Sequence, residues 1–333
     1  MSHAGQTPQA PPSKPRPRHK VDGWVKFVVV LAVFQVACFV VPQVRPGTAG
    51  MILWYFLIDS VVWLGLAGMV LIYGLIRSAF RRPFWTRWRA AGFLALPALL
   101  VLPLSFSVYP AFAYPSSHDR SPSAVRFRLP LDGSVLVGWG GATPDVNYHV
   151  IAPDQRWAYD LLVANEGKSH RGDGKKLEDY YCYGLAVLAP AEGTVQAVFD
   201  GDPDMPVGVL GGGARPGGNQ LVLQVARDEY LFLCHLKPGS IAVKAGDQVA
   251  AGQVLARVGN SGNTSEPHLH IHLQDTPEDG FGEGIPLYFH TYQVGDRYID
   301  RGIPTGGFQN GQMSGQTVQH VPQPVDGGPS GSS

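Results

Sequence analysis

Three histidines alternate with apolar residues in the segment Pro267–Leu273, which follows a turn rich in Gly, Asn and Ser. Because the side chains of a β-strand alternate between its two faces, this spacing predicts three imidazoles on one face and Leu269, Ile271 and Leu273 on the other. We expect the apolar face to be buried and the imidazoles to point into a cleft. Imidazole is a frequent zinc ligand and the usual general base near neutral pH. The segment therefore predicts metal-dependent acid–base chemistry, with a solvated polar strand face as the alternative.

The first third of the chain is apolar enough to cross a membrane. In this chain of 333 residues, apolar runs cover residues 24–44, 51–76 and 91–112. Each run reaches the ~20 residues that a helix needs to span a bilayer, and a cleaved signal peptide would account for only one of them. The sequence predicts three transmembrane helices within residues 23–113, after a disordered cytoplasmic tail at residues 1–22.

The distribution of basic residues predicts the orientation of these helices in the lipid bilayer. Lys and Arg accumulate on the cytoplasmic side of a membrane. They are frequent in the N-terminal tail and at residues 77–89, whereas the connection after the first run carries only Arg45. An odd number of spans that starts in the cytoplasm places everything after about residue 113 on the periplasmic or cell-wall side. The formal net charge of zero gives no support to nucleic acid as a partner.

Asp59 and the three cysteines leave alternatives open. Asp59 lies inside the second apolar run, where a carboxylate is costly, so it has either a functional role or a polar contact near the outer membrane interface. Cys38 lies in the first run and is expected to serve packing. Cys182 and Cys234 fall in the exported part, where a disulfide can persist. Two buried thiols are the alternative to this bridge.

The part of the chain beyond the apolar runs is predicted to be an all-β domain. After a polar linker at residues 114–124, in which His118 is expected to be exposed, short alternating segments separated by Gly, Pro, Asn and Asp extend over residues 125–305. The clearest strands cover residues 135–139, 157–163, 193–199, 220–225, 230–235 and 253–258. Residues 306–333 are rich in Gly, Gln, Ser and Pro and are predicted to form a disordered tail.

Further candidate ligands lie outside the histidine-rich strand. A hydrolytic zinc site needs three protein ligands and an open position for water. His149 and Asp160 each place a coordinating group in an apolar, strand-like setting. An aspartate in a core strand is costly to bury unless it is paired or bound to metal, although a structural hydrogen bond would also satisfy it. His235 ends another apolar segment, where a hydrogen-bonded core histidine is the alternative to a catalytic one.

These residues, in this order, resemble the lysostaphin-type (LytM-like) zinc metallopeptidases, which cut peptidoglycan cross-links. The resemblance covers about residues 130–300 and includes two segments similar to strands of that family, at residues 189–195 and 218–222. The motifs that carry it are His149, Asp160, Cys-His235-Leu, Val249-Ala-Ala-Gly-Gln-Val-Leu, Gly259-Asn-Ser-Gly-Asn-Thr and Pro-His268-Leu-His270.

The resemblance implies a fold and a division of roles. The fold is an antiparallel β-sheet or sandwich of the duplicated hybrid motif type. One zinc ion would be held by His149, Asp160 and His270. His235 and His268 would then flank the attacking water and the scissile carbonyl, one imidazole taking a proton while the other stabilises the charge that develops on oxygen.

The sequence departs from the family pattern at two places. The family's first histidine is followed four residues later by aspartate, whereas His149 and Asp160 are eleven residues apart. We expect a loop to absorb this insertion, and His170 and Asp154 are the nearest substitutes as ligands. His272 stands where many relatives have glutamate, and we expect it to orient a ligand or a water molecule.

Three functions are compatible with the sequence. The first is a membrane-anchored zinc endopeptidase that cuts the peptide cross-links of peptidoglycan. The second is a catalytically silent scaffold or activator of other cell-wall hydrolases, with other cell-envelope proteins as candidate partners. The third is a β-sandwich binding module fused to a membrane anchor. Degenerate relatives usually lose ligands, and this chain keeps a full set, which favours the enzyme.

Overall fold

The computed structural model describes residues 20–108 and 112–321. Most of the predicted tail at residues 1–22, and residues 322–333 of the other predicted tail, lie outside the described residues. The chain divides into two compact units. One unit contains Val61–Val101 together with the chain up to Val36, and the other contains Ala37–Ser60 together with the chain from Leu102 onward.

Three of the described helices are long and apolar enough to cross a membrane. The helices are α1 (Gly23–Val44), α2 (Thr48–Ile58), α3 (Ser60–Ala79) and α4 (Arg87–Val108). The long apolar ones are α1, α3 and α4, so the prediction of three such helices is confirmed. The second apolar run is not one helix, because it breaks at Asp59, which caps the end of α2. The break places a costly carboxylate at a helix end instead of inside a continuous apolar helix.

Aromatic packing and the ion pairs of Asp22 with Arg81 and Arg89 stabilise the first unit. Trp24 of α1 and Trp63 of α3 are buried in the same apolar cluster. Arg89 Nε donates to Asp22 Oδ2 at 2.5 Å, and both side chains are largely buried. Asp22, at the end of the predicted cytoplasmic tail, is therefore fixed by a charged partner.

Short strands make up most of the second unit. They are β1 (Ser134–Trp139), β2 (Tyr159–Leu162), β3 (Ala186–Leu188), β4 (Gly193–Phe199), β5 (Gln220–Ala226), β6 (Glu229–Cys234), β7 (Gln248–Val249), β8 (Val254–Arg257), β9 (Leu269–Gln274), β10 (Phe289–Val294), β11 (Arg297–Gly302), β12 (Phe308–Gln309), β13 (Gln312–Met313) and β14 (Thr317–His320). Ten of them form one antiparallel sheet in the order β11-β10-β14-β1-β2-β9-β6-β5-β4-β7. β3 pairs with β8, and β12 pairs with β13. The predicted all-β, antiparallel class is confirmed.

Strand β9 lies in the middle of the large sheet, with its apolar side chains in the hydrophobic core and its histidines on the opposite face. Leu269, Ile271 and Leu273 are fully buried in the main hydrophobic core, as the alternation predicts. His270, on the opposite face, is in register with Asp160 of β2 on one side and with Cys234 of β6 on the other. The sheet therefore places residues from three strands beside the imidazoles.

The prediction of a disordered tail from residue 306 is wrong for residues 308–320. β12 and β13 form a hairpin, and β14 lies between β1 and β10 in the large sheet. Val318 is only 1% exposed and packs in the main core. A strand with one apolar residue among polar neighbours gives almost no periodic signal, because its stability comes from pairing on both sides.

The structure also tests the predictions for His118 and for the two cysteines Cys182 and Cys234. His118 in the linker is not simply exposed, since its Nε2 lies 3.2 Å from Asp275 Oδ2 and only 29% of its side chain is accessible. Cys182 and Cys234 are free, buried thiols, not a disulfide. Cys182 Sγ–H donates to Pro267 O at 2.8 Å, and burial raises the pKa of this thiol to about 12, so it is inert.

Candidate active site

His149, Asp160 and His270 form one compact group of potential metal ligands. His149 Nε2 lies 3.0 Å from Asp160 Oδ2, and His270 Nδ1 lies 2.9 Å from Asp160 Oδ1. One potential ligand atom from each residue lies within 4.8 Å of the others, and all three residues are buried. The expected proximity of His149 and Asp160 is therefore observed despite the insertion between them.

The insertion is fastened at both ends by Asn147, a residue that the sequence analysis missed. His149 belongs to a short 3-10 helix, Tyr148–Ile151, and its backbone N–H donates to Asn147 Oδ1 at 3.1 Å. Asn147 Nδ2 donates to Gly141 O and to Ala158 O, two residues before Asp160. Asn is a common helix N-cap, but only the long-range bond to Ala158 gives it this role, and no local pattern reveals that bond.

The two substitute ligands lie outside the compact group. His170 is partly exposed and packs on Tyr180, with ring centroids 5.2 Å apart. Asp154 is buried, and Tyr55 Oη donates to its Oδ1 at 3.3 Å. Within the described residues, neither side chain belongs to the group around Asp160.

A chain of hydrogen bonds fixes which ring nitrogen of His270 carries the proton. Gln274 Nε2 donates to Thr276 O and Glu278 O, each at 2.8 Å, so its Oε1 faces His272 Nε2 at 3.2 Å. His272 Nε2–H must donate to that oxygen, which leaves His272 Nδ1 as an acceptor. Its partner at 3.0 Å is His270 Nε2. His270 therefore donates from Nε2 and presents an unprotonated Nδ1 to Asp160.

This arrangement fits a bound metal cation. The lone pair of His270 Nδ1 faces a carboxylate oxygen of Asp160 at 2.9 Å, and two acceptors at that distance repel each other. A proton on Nδ1 would relieve the repulsion, but burial lowers the pKa of His270 and opposes it. A divalent cation bound by both atoms relieves it fully, and two histidines with one carboxylate are a typical donor set for catalytic zinc.

His235 and His268 lie next to this group, and each donates a proton to the backbone. His235 Nδ1 is 2.8 Å from Ser261 O, and His268 Nδ1 is 2.8 Å from Glu266 O. When these rings are neutral, the proton is therefore on Nδ1 and the lone pair is on Nε2. The two ring centroids are 4.7 Å apart, and His268 Nε2 is 3.5 Å from Asp160 Oδ1.

The backbone at His235 is held in a conformation that non-glycine residues rarely adopt. Its φ is 60°, a left-handed value that costs free energy and often marks functional sites. His235 N donates to Gly217 O, and Gly259 N donates to His235 O at 3.0 Å. A Cβ on Gly259 would lie 2.4 Å from Lys237 N, so the glycine that opens the turn before β9 is required for this close approach.

The charges of the site are strongly coupled. Burial opposes ionisation of Asp160, but His149 and His268 outweigh it and hold the pKa of this carboxyl well below its usual range. Burial and the neighbouring His268 and His270 lower the pKa of His235 well below its usual value. For His268, burial lowers the pKa, but the charge of Asp160 exceeds this effect and raises it. Burial and His270 lower the pKa of His272.

The proposed ligands His149 and His270 line a cleft of about 360 Å³. Its walls include His149, His235 and His270 together with Tyr55 of α2 and Asp279. Tyr55 is a second residue that the sequence analysis missed. It falls within an apolar run assigned to the membrane, and its position on the cleft depends on the helix break at Asp59.

One segment of the β-domain matches a known protein family. Residues 178–280 match the model of peptidase family M23. This segment contains His235, His268, His270 and His272, whereas His149 and Asp160 precede it.

Several solved structures are similar to part of this chain. The catalytic domain of a mutant of the prophage-encoded M23 protein EnpA from Enterococcus faecalis is 18% identical, covers 48% of this chain and 93% of its own, and has a TM-score of 0.30. The catalytic domain of lysostaphin from Staphylococcus simulans is 20% identical over 45% of this chain and 86% of its own, with a TM-score of 0.27. A chain of the SpoIIQ–SpoIIIAH pore-forming complex is 16% identical, covers 49% of this chain and 89% of its own, and has a TM-score of 0.31.

The resemblance to lysostaphin-type metallopeptidases is thus confirmed by the match of residues 178–280, which contain the histidine-rich half of the site, to the model of peptidase family M23.

Proposed function

We propose that this chain is a membrane-anchored zinc endopeptidase that hydrolyses the peptide cross-links of bacterial peptidoglycan. The observation that carries the proposal is the position of His270 Nδ1, 2.9 Å from one carboxylate oxygen of Asp160, with His149 Nε2 3.0 Å from the other. The match of residues 178–280 to peptidase family M23 supports a peptidase acting on the cell wall. His268 adds to this group, with its Nε2 3.5 Å from Asp160 Oδ1, and the ring of His235 lies 4.7 Å from that of His268.

His149, Asp160 and His270 would hold a single zinc ion, which supplies Lewis-acid activation of water and of the scissile carbonyl. His235 is suited to accept a proton from the attacking water at Nε2, because its Nδ1–H is bonded to Ser261 O and its pKa is low. His268 lies on the other side, next to Asp160, and is suited to stabilise charge on the carbonyl oxygen and to protonate the leaving amine. His272 keeps His270 in the tautomer that binds metal.

The proposed location is the cytoplasmic membrane, with the peptidase domain on the extracytoplasmic side. Three long apolar helices follow a basic N-terminal segment, and the second unit joins residues between α1 and α3 with those after α4. Both parts fall on the same side of a three-span topology, which supports that topology, and the basic N-terminal segment supports its orientation. Reporter fusions after residues 47, 84 and 120 should report outside, inside and outside, and any other pattern would contradict the assignment to the cell wall.

The enzymatic proposal is tested on the full-length chain purified in detergent. We expect one bound zinc ion per chain and release of cross-linked peptides from purified peptidoglycan. Asp160→Ala should lose both zinc and cleavage, because the carboxylate contacts all three neighbouring histidines. His290→Ala is a matched control, since His290 is a buried histidine of the same sheet that lies outside the ligand group.

The two ways in which this test can fail are informative. Wild-type protein that binds no zinc would contradict the metal site itself. Wild-type protein that binds zinc and leaves peptidoglycan intact would favour the silent scaffold or activator, and its binding to other cell-wall hydrolases would then be measured.

A further inference from the structure

The short helix α2 belongs to the same compact unit as the β-domain, although it lies between two apolar helices in the sequence. With 11 residues it is about half as long as a membrane-spanning helix must be. Its buried residues are Gly50, Met51, Trp54 and Leu57. Met51, Trp54 and Leu57 belong to a buried apolar cluster, and Ile151, the last residue of the 3-10 helix that carries His149, packs against it. α2 therefore packs on the insertion that separates His149 from Asp160.

Trp54 makes the central contact between α2 and the insertion. Its side chain is fully buried, and its Nε1–H donates to Ile151 O at 2.8 Å. Its ring meets those of Phe106 and Tyr114 edge to face, with centroids 5.5 and 5.6 Å away. The indole N–H thus binds the backbone two residues after His149.

Neighbouring residues hold the same insertion at further points. Tyr55 Oη donates to Asp154 Oδ1 at 3.3 Å. Tyr114 N donates to Val150 O at 2.7 Å, and Arg156 Nε donates to Tyr114 O at 2.9 Å. These bonds satisfy polar groups of the insertion in the part that precedes β2.

The start of α2 is anchored to the β-domain by Glu283. Gly47 N donates to Glu283 Oε1 at 2.8 Å, and the hydroxyls of Tyr114 and Ser117 also bond this carboxylate. Glu283 is only 3% exposed. The buried carboxylate of Glu283 accepts hydrogen bonds from these three donors. Because any other position of α2 would break the bond to Gly47, the observed position is favoured.

We propose that α2 is a structural part of the active site, in which Trp54 is a positioning residue for the metal ligand His149. This inference rests on the proposed function, because it assigns His149 to zinc. The inserted residues after His149 lengthen the connection to Asp160, and α2 compensates by fixing the end of the 3-10 helix through the bond from Trp54 to Ile151. In this proposal, α2, which lies in an apolar run that the sequence predicts to be in the membrane, controls the position of His149.

The test compares matched tryptophan substitutions in the full-length chain. Trp54→Phe keeps an aromatic ring, removes the N–H donated to Ile151 and makes the buried ring smaller, and a control with the same loss of volume separates the last two effects. The control is Trp63→Phe, the same change at a buried tryptophan of α3 that packs in the other apolar cluster. We expect Trp54→Phe to bind zinc about five-fold more weakly than wild type, the factor that corresponds to one buried hydrogen bond, and Trp63→Phe to bind it normally.

A second readout does not depend on metal. Hydrogen–deuterium exchange of the amides at residues 148–156 should be faster in Trp54→Phe, and faster still in Trp54→Ala, while exchange in β5 and β6 stays as in wild type. Unchanged exchange at residues 148–156 in both variants would overturn the positioning role, whether or not zinc binds. Equal loss of zinc in Trp54→Phe and Trp63→Phe would overturn it as well. Wild-type protein without zinc would refute the proposed function, and the exchange data would still decide whether α2 fixes the insertion.

Discussion

His272→Ala should weaken zinc binding without removing a zinc ligand. His272 is 2% exposed, stacks on Phe232 with ring centroids 4.7 Å apart, and connects His270 to Gln274. The substitution leaves His270 Nε2–H and Gln274 Oε1 without their partner and frees the His270 ring to change tautomer. Loss of such an outer partner typically costs about 10–100-fold in metal affinity, which is about 1.4–2.7 kcal/mol.

The assay is competition for zinc with a chromophoric chelator, using full-length protein in detergent. His272→Gln can accept from His270 through its side-chain oxygen and donate to Gln274 through its nitrogen, so it should recover most of the affinity. His290→Ala, at a buried histidine in β10, controls for the loss of any buried imidazole. An affinity of His272→Ala within two-fold of wild type would refute the hydrogen-bond chain, and a loss as complete as that of His270→Ala would make His272 a ligand.

Three further outcomes follow from the contacts described above. His149→Ala should lose zinc, and His170→Ala should retain it, as measured by metal content after dialysis. His235→Ala should keep zinc and lose about 10²–10⁴ in the rate of peptidoglycan cleavage, because it removes one general acid–base group. The hydrogen bond to Asp275 raises the pKa of His118. Burial opposes ionisation of Asp275, but the bonds from His118 and from the backbone N–H of Glu283 together lower the pKa of this carboxyl, so the pair should stabilise the fold most between about pH 4 and 6.5. Thermal unfolding should show this contribution lost as the pH rises through the raised pKa of His118 and as it falls through the lowered pKa of Asp275, and His118→Gln should remove the first loss and reduce the second.

The parts of the fold that follow local periodicity are predictable from the sequence. The alternation in β9 predicts both its buried apolar face and its imidazole face, since strand geometry alone assigns successive side chains to opposite faces. Hydropathy predicts the three long helices for a similar reason, because spanning a bilayer requires length and an apolar surface. The proximity of His149 and Asp160 is predictable only through the family resemblance.

The parts that depend on distant partners are not predictable in this way. β14 has a single buried apolar residue, Val318, and exists because β1 and β10 lie on either side of it. Hydropathy does not reveal that α2 ends at Asp59, because a value averaged over a long apolar run changes little at a single carboxylate. Asn147 and Trp54 act through bonds to Ala158 and Ile151, which no local pattern contains.

The position of β14 also has a consequence for how the β-domain folds. Ser134 near the start of the domain pairs with Gln319, and β10 pairs with the same late strand. The chain is synthesised from its N-terminus, so β1 and β10 each keep an unpaired edge until residues 317–320 have been made. Open edges of this kind promote aggregation, and pairing across so long a stretch of sequence is slow. Premature termination before residue 317 would therefore release a domain that contains every proposed site residue and lacks the strand that closes its sheet.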